Sequence, residues 1–285
     1  MPSRSTLRTL ALLVSALAPL GARAGGSGCP SGMTAVTGGA LPRAGAPVRI
    51  PSFCMDRTEV TVDAYASCAE VGACRSTDLV CGAAANWGKH GHGSHPINCV
   101  TWDEAATFCT EHGKRLPTED EWEWAARGGR KALTFPWGAE APEDRACWDG
   151  DGNSRGAGER KGTCPVGSNP RGKSPDGIQD LAGNVREWTS SAQDRFRVIR
   201  GGSWGDSLPA FLSASFRGWN APDERMELLG FRCVAELGAV ARRPTPRVEA
   251  RATKDDAGVM VFRAPIEVGA KATKPAKKKP GSAAQ

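Results

Sequence analysis

Past its first 24 residues the chain has no apolar run approaching the roughly 20 residues that a membrane-spanning helix needs. Its one greasy stretch, Leu10 to Leu20, is too short for that task. No Cys-x-x-Cys pair occurs, which removes the clustered-thiolate zinc sites. Basic charge is not a property of the whole chain either. The 37 Lys and Arg against 31 Asp and Glu leave +6. Residues 1–24 hold +3 of it and residues 238–285 hold +7, so the body between them carries −4. Whole-chain basicity therefore gives no argument for nucleic-acid binding. A hydrophobic fraction of 40% with 24% charged residues also excludes a mainly disordered or collagen-like chain.

The first segment pairs Arg4 and Arg8 with the Leu10–Leu20 run and closes on Ala22-Arg-Ala24. A basic start, a short apolar stretch and a small-residue ending predict a secretory signal peptide over residues 1–24. A lipoprotein anchor at Cys29 is the alternative, but Gly26-Ser-Gly28 before it lacks the usual leading Leu. The expected location is secreted or periplasmic. Export changes the reading of the ten cysteines, because an even count in an oxidising compartment implies a disulfide framework. Spacing alone leaves the connectivity open. The framework matters for a body with 35 Gly and 20 Pro, whose composition predicts many loops and little regular structure.

From Cys29 to about Leu237 short apolar segments alternate with Gly, Pro, Asn and Asp. Beyond Leu237, Ala, Arg, Pro and Lys dominate, ending in Lys274-Pro-Ala-Lys277-Lys-Lys279. A basic, largely disordered tail is predicted over 238–285, solvated or touching an anionic envelope polymer, with a short strand at Val259 to Phe262. Three helices are predicted on local signals. The first runs Val62 to Glu70 behind Thr61, with Val62, Tyr65 and Ala66 on one stripe and Gly72 as its stop. The second runs Trp102 to His112, with Ala105, Ala106 and Cys109 in phase with Trp102. The third is opened by Thr118 with Glu121 in a capping box and closed by Gly128-Gly129. After Gly129 only short strands are expected, at Val198 to Arg200 and at Phe231 to Val234. Early helices followed by loops and strands predict an α+β fold.

Seven segments stand in register along the chain: Phe53-Cys-Met-Asp-Arg-Thr-Glu59-Val-Thr61, His95-Pro-Ile-Asn-Cys-Val-Thr-Trp102, Gly113-Lys-Arg-Leu-Pro-Thr-Glu-Asp-Glu-Trp-Glu-Trp-Ala-Ala-Arg127, Phe135-Pro-Trp-Gly138, Gln179-Asp-Leu-Ala-Gly-Asn-Val-Arg-Glu-Trp188, Arg200-Gly-Gly-Ser-Trp204 and Gly230-Phe-Arg-Cys233. Together they resemble the formylglycine-generating enzyme family, the sulfatase-modifying factors, over residues 25–237. The resemblance implies a C-type-lectin-like fold, low in regular secondary structure and stapled by disulfides. It implies that Cys109 pairs with Cys233. Catalytic members of the family oxidise a cysteine of a sulfatase peptide with O₂ and copper, held by two thiolates shortly after the Gly-Gly-Ser motif. Soft thiolates suit Cu(I), so the chemistry does not pass easily to other side chains. Here the first thiol position is Asp206 and the second is Phe211, or Pro209 with a short gap. No cysteine occurs between Cys164 and Cys233, so copper and family-type catalysis are not expected. Two further departures agree: a second family disulfide falls on Ala126 and Ala214, and a family Trp is Arg186.

The resemblance also implies a structural calcium ion held by the Asp180 and Glu187 side chains and by the carbonyls of Gly183 and Val185, where a surface turn capped by Asn184 is the plainer alternative. A second family calcium segment, around Ala146-Cys-Trp148 and Gly158 to Lys161, lacks matching carboxylates. A Cys147–Cys164 disulfide is expected to replace that ion as the loop clip. His90, His92 and His95 form no complete ligand set and are expected in a flexible surface loop. Glu119, Glu121 and Glu123 are expected to complement a helix N-terminus. Most Trp belong to the core, but Trp204 and Trp219 flank the altered site. With Ser203, Asp206 and Arg217 they are the candidate pocket for a peptide or small molecule. Three functions follow: an exported binding or accessory module without oxidase activity, a divergent enzyme acting in protein or natural-product maturation, or an envelope-associated structural module. No nucleic-acid partner and no transmembrane segment are expected.

Overall fold

The computed structural model describes residues 28–150, 160–239 and 242–246, with a strand pair at 253–254 and 260–261. The expected signal peptide, Gly158 and most of the basic tail lie outside the described residues.

The helices form where local signals place them. Thr61 caps α1 (Val62–Glu70) by accepting from the Ala64 amide, and Gly72 follows in the left-handed region at φ +71°. α2 (Trp102–Glu111) and α3 (Glu119–Ala126) both start with a full capping box, Thr101 with Glu104 and Thr118 with Glu121. Each box satisfies two of the amides that a helix start otherwise leaves unpaired. After α3 the described body has only short 3-10 turns and strands.

The N-terminal strands are β1 (Met33–Val36), β2 (Gly39–Leu41), β3 (Val48–Ile50) and β4 (Phe53–Asp56). Later come β5 (Arg186–Gln193), β6 (Phe196–Arg200), β7 (Arg217–Asn220), β8 (Leu229–Gly230) and β9 (Val234–Glu236). β1, β4 and β9 make an antiparallel sheet that ties the first strand to the last. A four-stranded sheet of order β7-β6-β5-β8 carries a parallel β5–β8 edge and a register shift between Trp188 and Ala192. β2 and β3 form a separate hairpin. In the tail, β10 (Thr253–Lys254) pairs with β11 (Met260–Val261), so the apolar run near residue 260 does find a strand partner.

One expected strand is corrected. Phe231 to Cys233 is not a strand; it crosses from β8 to β9. The Phe231 carbonyl accepts from the Val60 amide and the Cys233 carbonyl from the Asp56 amide. Its hydrogen bonds go to the chain between β4 and α1, while the Arg232 side chain turns inward. One core joins α1 and α2 to Trp188, Ile199 and Phe231. A second joins Trp122, Trp124 and Ala125 of α3 to Phe53, Met55 and Leu181. Ala126 and Ala214 are both in this second core, with no exposed surface.

All ten cysteines are paired: Cys29–Cys54, Cys68–Cys74, Cys81–Cys99, Cys109–Cys233 and Cys147–Cys164. Cys109–Cys233 joins α2 to the entry of β9 across 124 residues. With Cys29 bonded to Cys54, the sulfur that a lipid anchor would need is already taken.

Candidate functional site

β6 leads directly into the altered thiol loop. Gly201 and Gly202 have φ of +99° and +69°, and a Cβ on Gly202 would meet the Phe211 carbonyl oxygen at 2.6 Å. The glycine pair thus lets the loop fold back on the 3-10 turn at Pro209–Leu212. Ser203, with no exposed surface, gives its amide (2.7 Å) and its hydroxyl (2.9 Å) to Asp206 Oδ2. The other oxygen, Asp206 Oδ1, accepts from Arg186 Nη2 at 2.5 Å. Two residues expected to depart from the family pattern therefore meet: the Asp206 carboxylate is neutralised by the Arg186 guanidinium. Phe211 is partly exposed, its ring set edge-on against Phe216 at 5.2 Å. Trp204 is half-buried, its indole N–H bonded to the Glu227 carbonyl at 3.2 Å.

The other two candidate ligand residues are drawn elsewhere. Arg217 donates to Glu119 Oε2 at 2.6 Å, in a groove it shares with Arg43, Glu123, Arg127 and Arg200. Arg200 is 2% exposed and bridges Glu119 and Glu123, while Arg43 bridges Asp120 and Glu123. Burial pushes the Glu119 and Glu123 carboxyls up, but the arginine hydrogen bonds and charges outweigh it and hold both below the usual carboxylate range. The three α3 glutamates thus do more than complement a helix dipole. Glu121 closes the capping box and pairs with Arg115, and Glu123 is an almost fully buried ion-pair hub. Trp219, 55% exposed on β7, does not line that groove. Among the described residues Ser203 bonds to Asp206, Trp204 to Glu227 and Arg217 to Glu119, so the five candidates do not form one hydrogen-bonded cluster.

The expected calcium segment runs from the 180s loop into β5. Asp180 and Asn184 adopt left-handed φ of 57° and 59°. Glu187, with no exposed surface, is gripped by Arg232 through Nε (2.8 Å) and Nη2 (2.7 Å), and its Oε2 also accepts from the Trp122 indole at 2.8 Å. Asp180 accepts from the Gly167 amide at 2.6 Å, and burial raises its carboxyl above the ordinary range. A neighbour not singled out from the sequence is Glu59, 2% exposed, whose two carboxylate oxygens find no donor among the described residues. Burial and then the Asp180 charge push the Glu59 carboxyl well up. The carbonyl oxygens of Gly183 and Val185 belong to buried residues and take no hydrogen bond among the described residues. Unpaired carboxylate oxygens on Glu59 beside Asp180 and free carbonyls at Gly183 and Val185 are hard donors of the kind calcium prefers, so the residues present fit the ion by their chemistry. No group of three or more His, Cys, Asp or Glu is gathered as a metal site among the described residues, so backbone oxygens would have to complete the set.

The histidine loop is tied down. His92 Nδ1 bonds to Asn86 Oδ1 at 2.9 Å, His95 Nδ1 to Thr163 Oγ1 at 2.8 Å, and the two rings stack at 4.2 Å. His90 is exposed. The Cys147–Cys164 bridge sits beside the 180s loop, where the Cys164 amide donates to Asn184 Oδ1 at 3.0 Å and the Trp204 amide to the Asn184 carbonyl at 2.8 Å.

Comparison with known proteins places this geometry. The family model of the sulfatase-modifying factor enzyme 1-like domain matches residues 24–237. The "Inactive C-alpha-formylglycine-generating enzyme 2" of Bos taurus is 39% identical over 154 residues, 50% of this chain and 51% of that protein. The "Formylglycine-generating enzyme" of Mus musculus is 35% identical over 186 residues, 53% of this chain and 49% of that one. The chain thus spans about half the length of the curated relatives it matches. Among solved structures, CarF superposes with TM-score 0.58 at 23% identity, covering 72% of this chain and 97% of its own. PvdO from Pseudomonas aeruginosa does so with TM-score 0.57 at 22% identity, covering 72% and 94%. These two likenesses concern the fold.

Proposed function

The chain belongs to the formylglycine-generating-enzyme family, that of the sulfatase-modifying factor enzyme 1-like domain, and from that premise we propose an exported member that acts as a binding or accessory module without copper-thiol oxidation. The observation that carries this reading is the Arg186–Asp206 ion pair at the first thiol position. A hard carboxylate already neutralised by a guanidinium is a poor ligand for a soft ion. The disulfide pairing of every cysteine supports the reading, since no thiolate is left to take its place. So does the bovine relative named inactive. Five disulfides persist best in an oxidising compartment, which with the leader-like start supports export. The test is incubation of the purified chain with a sulfatase-type cysteine peptide, copper and O₂, followed by mass spectrometry. The peptide is expected to stay unmodified; formylglycine formed at catalytic turnover would sink the proposal.

A structural calcium ion is part of the same reading. Arg232 already neutralises Glu187, so Asp180 and Glu59 are the carboxylates left to meet the ion, with the Gly183 and Val185 carbonyls completing the set. Bound there, calcium would supply charge neutralisation and hold the loop before β5 against the strand before α1. A ligand present at a hundred times its Kd adds about 2.7 kcal/mol. Chelation is therefore expected to lower Tm by about 5–10 °C. Asp180→Asn should remove the difference, and a chelator that shifts nothing in the wild-type chain would rule the ion out.

A further inference from the structure

The body of the chain is acidic overall, yet one part of its surface is not. After α3, Gly128 and Gly129 (both at φ +62°) turn the backbone into the 3-10 turn Gly129–Lys131, which sets Arg130 and Lys131 side by side at the surface. Arg130 shares a groove with Arg49 of β3, and Lys131 shares the adjoining one with Arg171 and Lys173. All five cations are exposed. Only Arg171 has an ion pair among the described residues, with Asp144 at 2.6 Å, itself 60% exposed. Asp176, half-buried near Lys131, and the exposed Glu140, three residues from Trp137, are further acids close by. Such segregation on a body of charge −4 makes a local positive field. The Debye length in physiological salt is about 8 Å, so a ligand meeting one cation is held weakly and one meeting several in succession is held well.

The second groove adds a shape. Trp137 lines it between Pro136 and Pro175. Its ring is fixed, stacked on Phe135 at 5.2 Å and 6° and bonded through its indole N–H to the Glu140 carbonyl at 3.0 Å. A rigid aromatic plane beside a row of cations suits a ring-shaped unit that carries anionic groups at regular intervals. Polynucleotides share part of that description, but on the export proposed above, which the five disulfides support, an acidic glycan is the polyanion to expect.

We propose that this face, from Arg49 and Arg130 across Lys131 to Lys173 and Trp137, binds an acidic polysaccharide, a chain of uronate or sulfated sugars. The site is separate from the altered thiol loop and does not depend on whether that loop is catalytic.

The experiment is calorimetric titration of the full chain with a heparin oligosaccharide, in low and in physiological salt. A variant with Arg130, Lys131, Arg171 and Lys173 all changed to Gln should bind about tenfold more weakly. A tail variant with Lys277, Lys278 and Lys279 changed to Gln should bind within a small factor of wild type. The face residues are exposed, so Tm should hold; if the fourfold variant melts early, Lys131→Glu with Lys173→Glu takes its place. Unchanged affinity in the face variant, loss confined to the tail variant, or equally tight binding of duplex DNA would each overturn the proposal.

Discussion

Replacing Cys109 and Cys233 together by alanine is expected to remove about 5 kcal/mol of stability. The bridge closes a loop of 124 residues, and the chain-entropy cost of leaving such a loop open in the unfolded state grows with the logarithm of its length. Cys68–Cys74 closes a separation of only 6, and its removal should cost about 2 kcal/mol on the same relation. Both cysteines of the long bridge are fully buried, in the core that joins α1 and α2 to Phe231. Domains of this kind hold roughly 5–15 kcal/mol in all, so the double variant should be marginal or unfolded at 37 °C. Urea unfolding of the two double variants beside wild type measures the difference. Equal losses from the long and the short bridge would contradict the entropic argument.

Arg232→Met is expected to cost about 3–5 kcal/mol, the loss typical of stranding one member of a buried ion pair. Arg232 and Glu187 have no exposed surface at all, and four of the guanidinium's five N–H donors are used. Two bonds go to Glu187, one to the Asp56 carbonyl at 3.2 Å and one to the Gln179 carbonyl at 2.9 Å. Removing the arginine leaves a buried carboxylate with the Trp122 indole as its one remaining donor. The double variant Arg232→Met with Glu187→Leu should recover a large part of the loss, because no unpaired charge is left behind. Denaturant midpoints for the four members of the cycle decide it. A single variant as stable as wild type, or a double variant no better than the single, would show that the pair is not the electrostatic unit described.

Local features of the fold were legible in the sequence and distant ones were not. The helix signals at Thr61, Thr118, Gly72 and Gly128 act within a few residues, so spacing alone locates the helices. Phe231 to Val234 looks like a strand because three of its four residues are apolar and none is a breaker, but the hydrogen-bond partners of Phe231 and Cys233 are Val60 and Asp56, which no periodicity reveals. Glu121 and Glu123 read from the sequence as charges that complement a helix N-terminus. Burial becomes possible through Arg43, Arg115 and Arg200, which arrive from other segments.

The altered site divides in the same way. The absence of sulfur between Cys164 and Cys233 is a fact of the sequence, and Asp206 and Arg186 each stand out there as departures from the family pattern. That the two neutralise one another, 20 residues apart, needs the fold. Glu59 lies within the segment Phe53 to Thr61, but its burial beside the Asp180 charge, 121 positions away, needs the fold. Arg217 was grouped with Ser203 because the two are close in the chain. β7 instead directs it to Glu119.

The most direct measurement is the copper(I) stoichiometry of the purified, fully oxidised chain in the presence of a competing soft chelator, with free thiols counted on the same sample. Copper far below one equivalent and no reactive thiol are expected, because every cysteine is held in a disulfide and Asp206 in the loop after Gly202 is bound to Arg186. A full equivalent of copper(I) held by cysteine sulfur would contradict that reading.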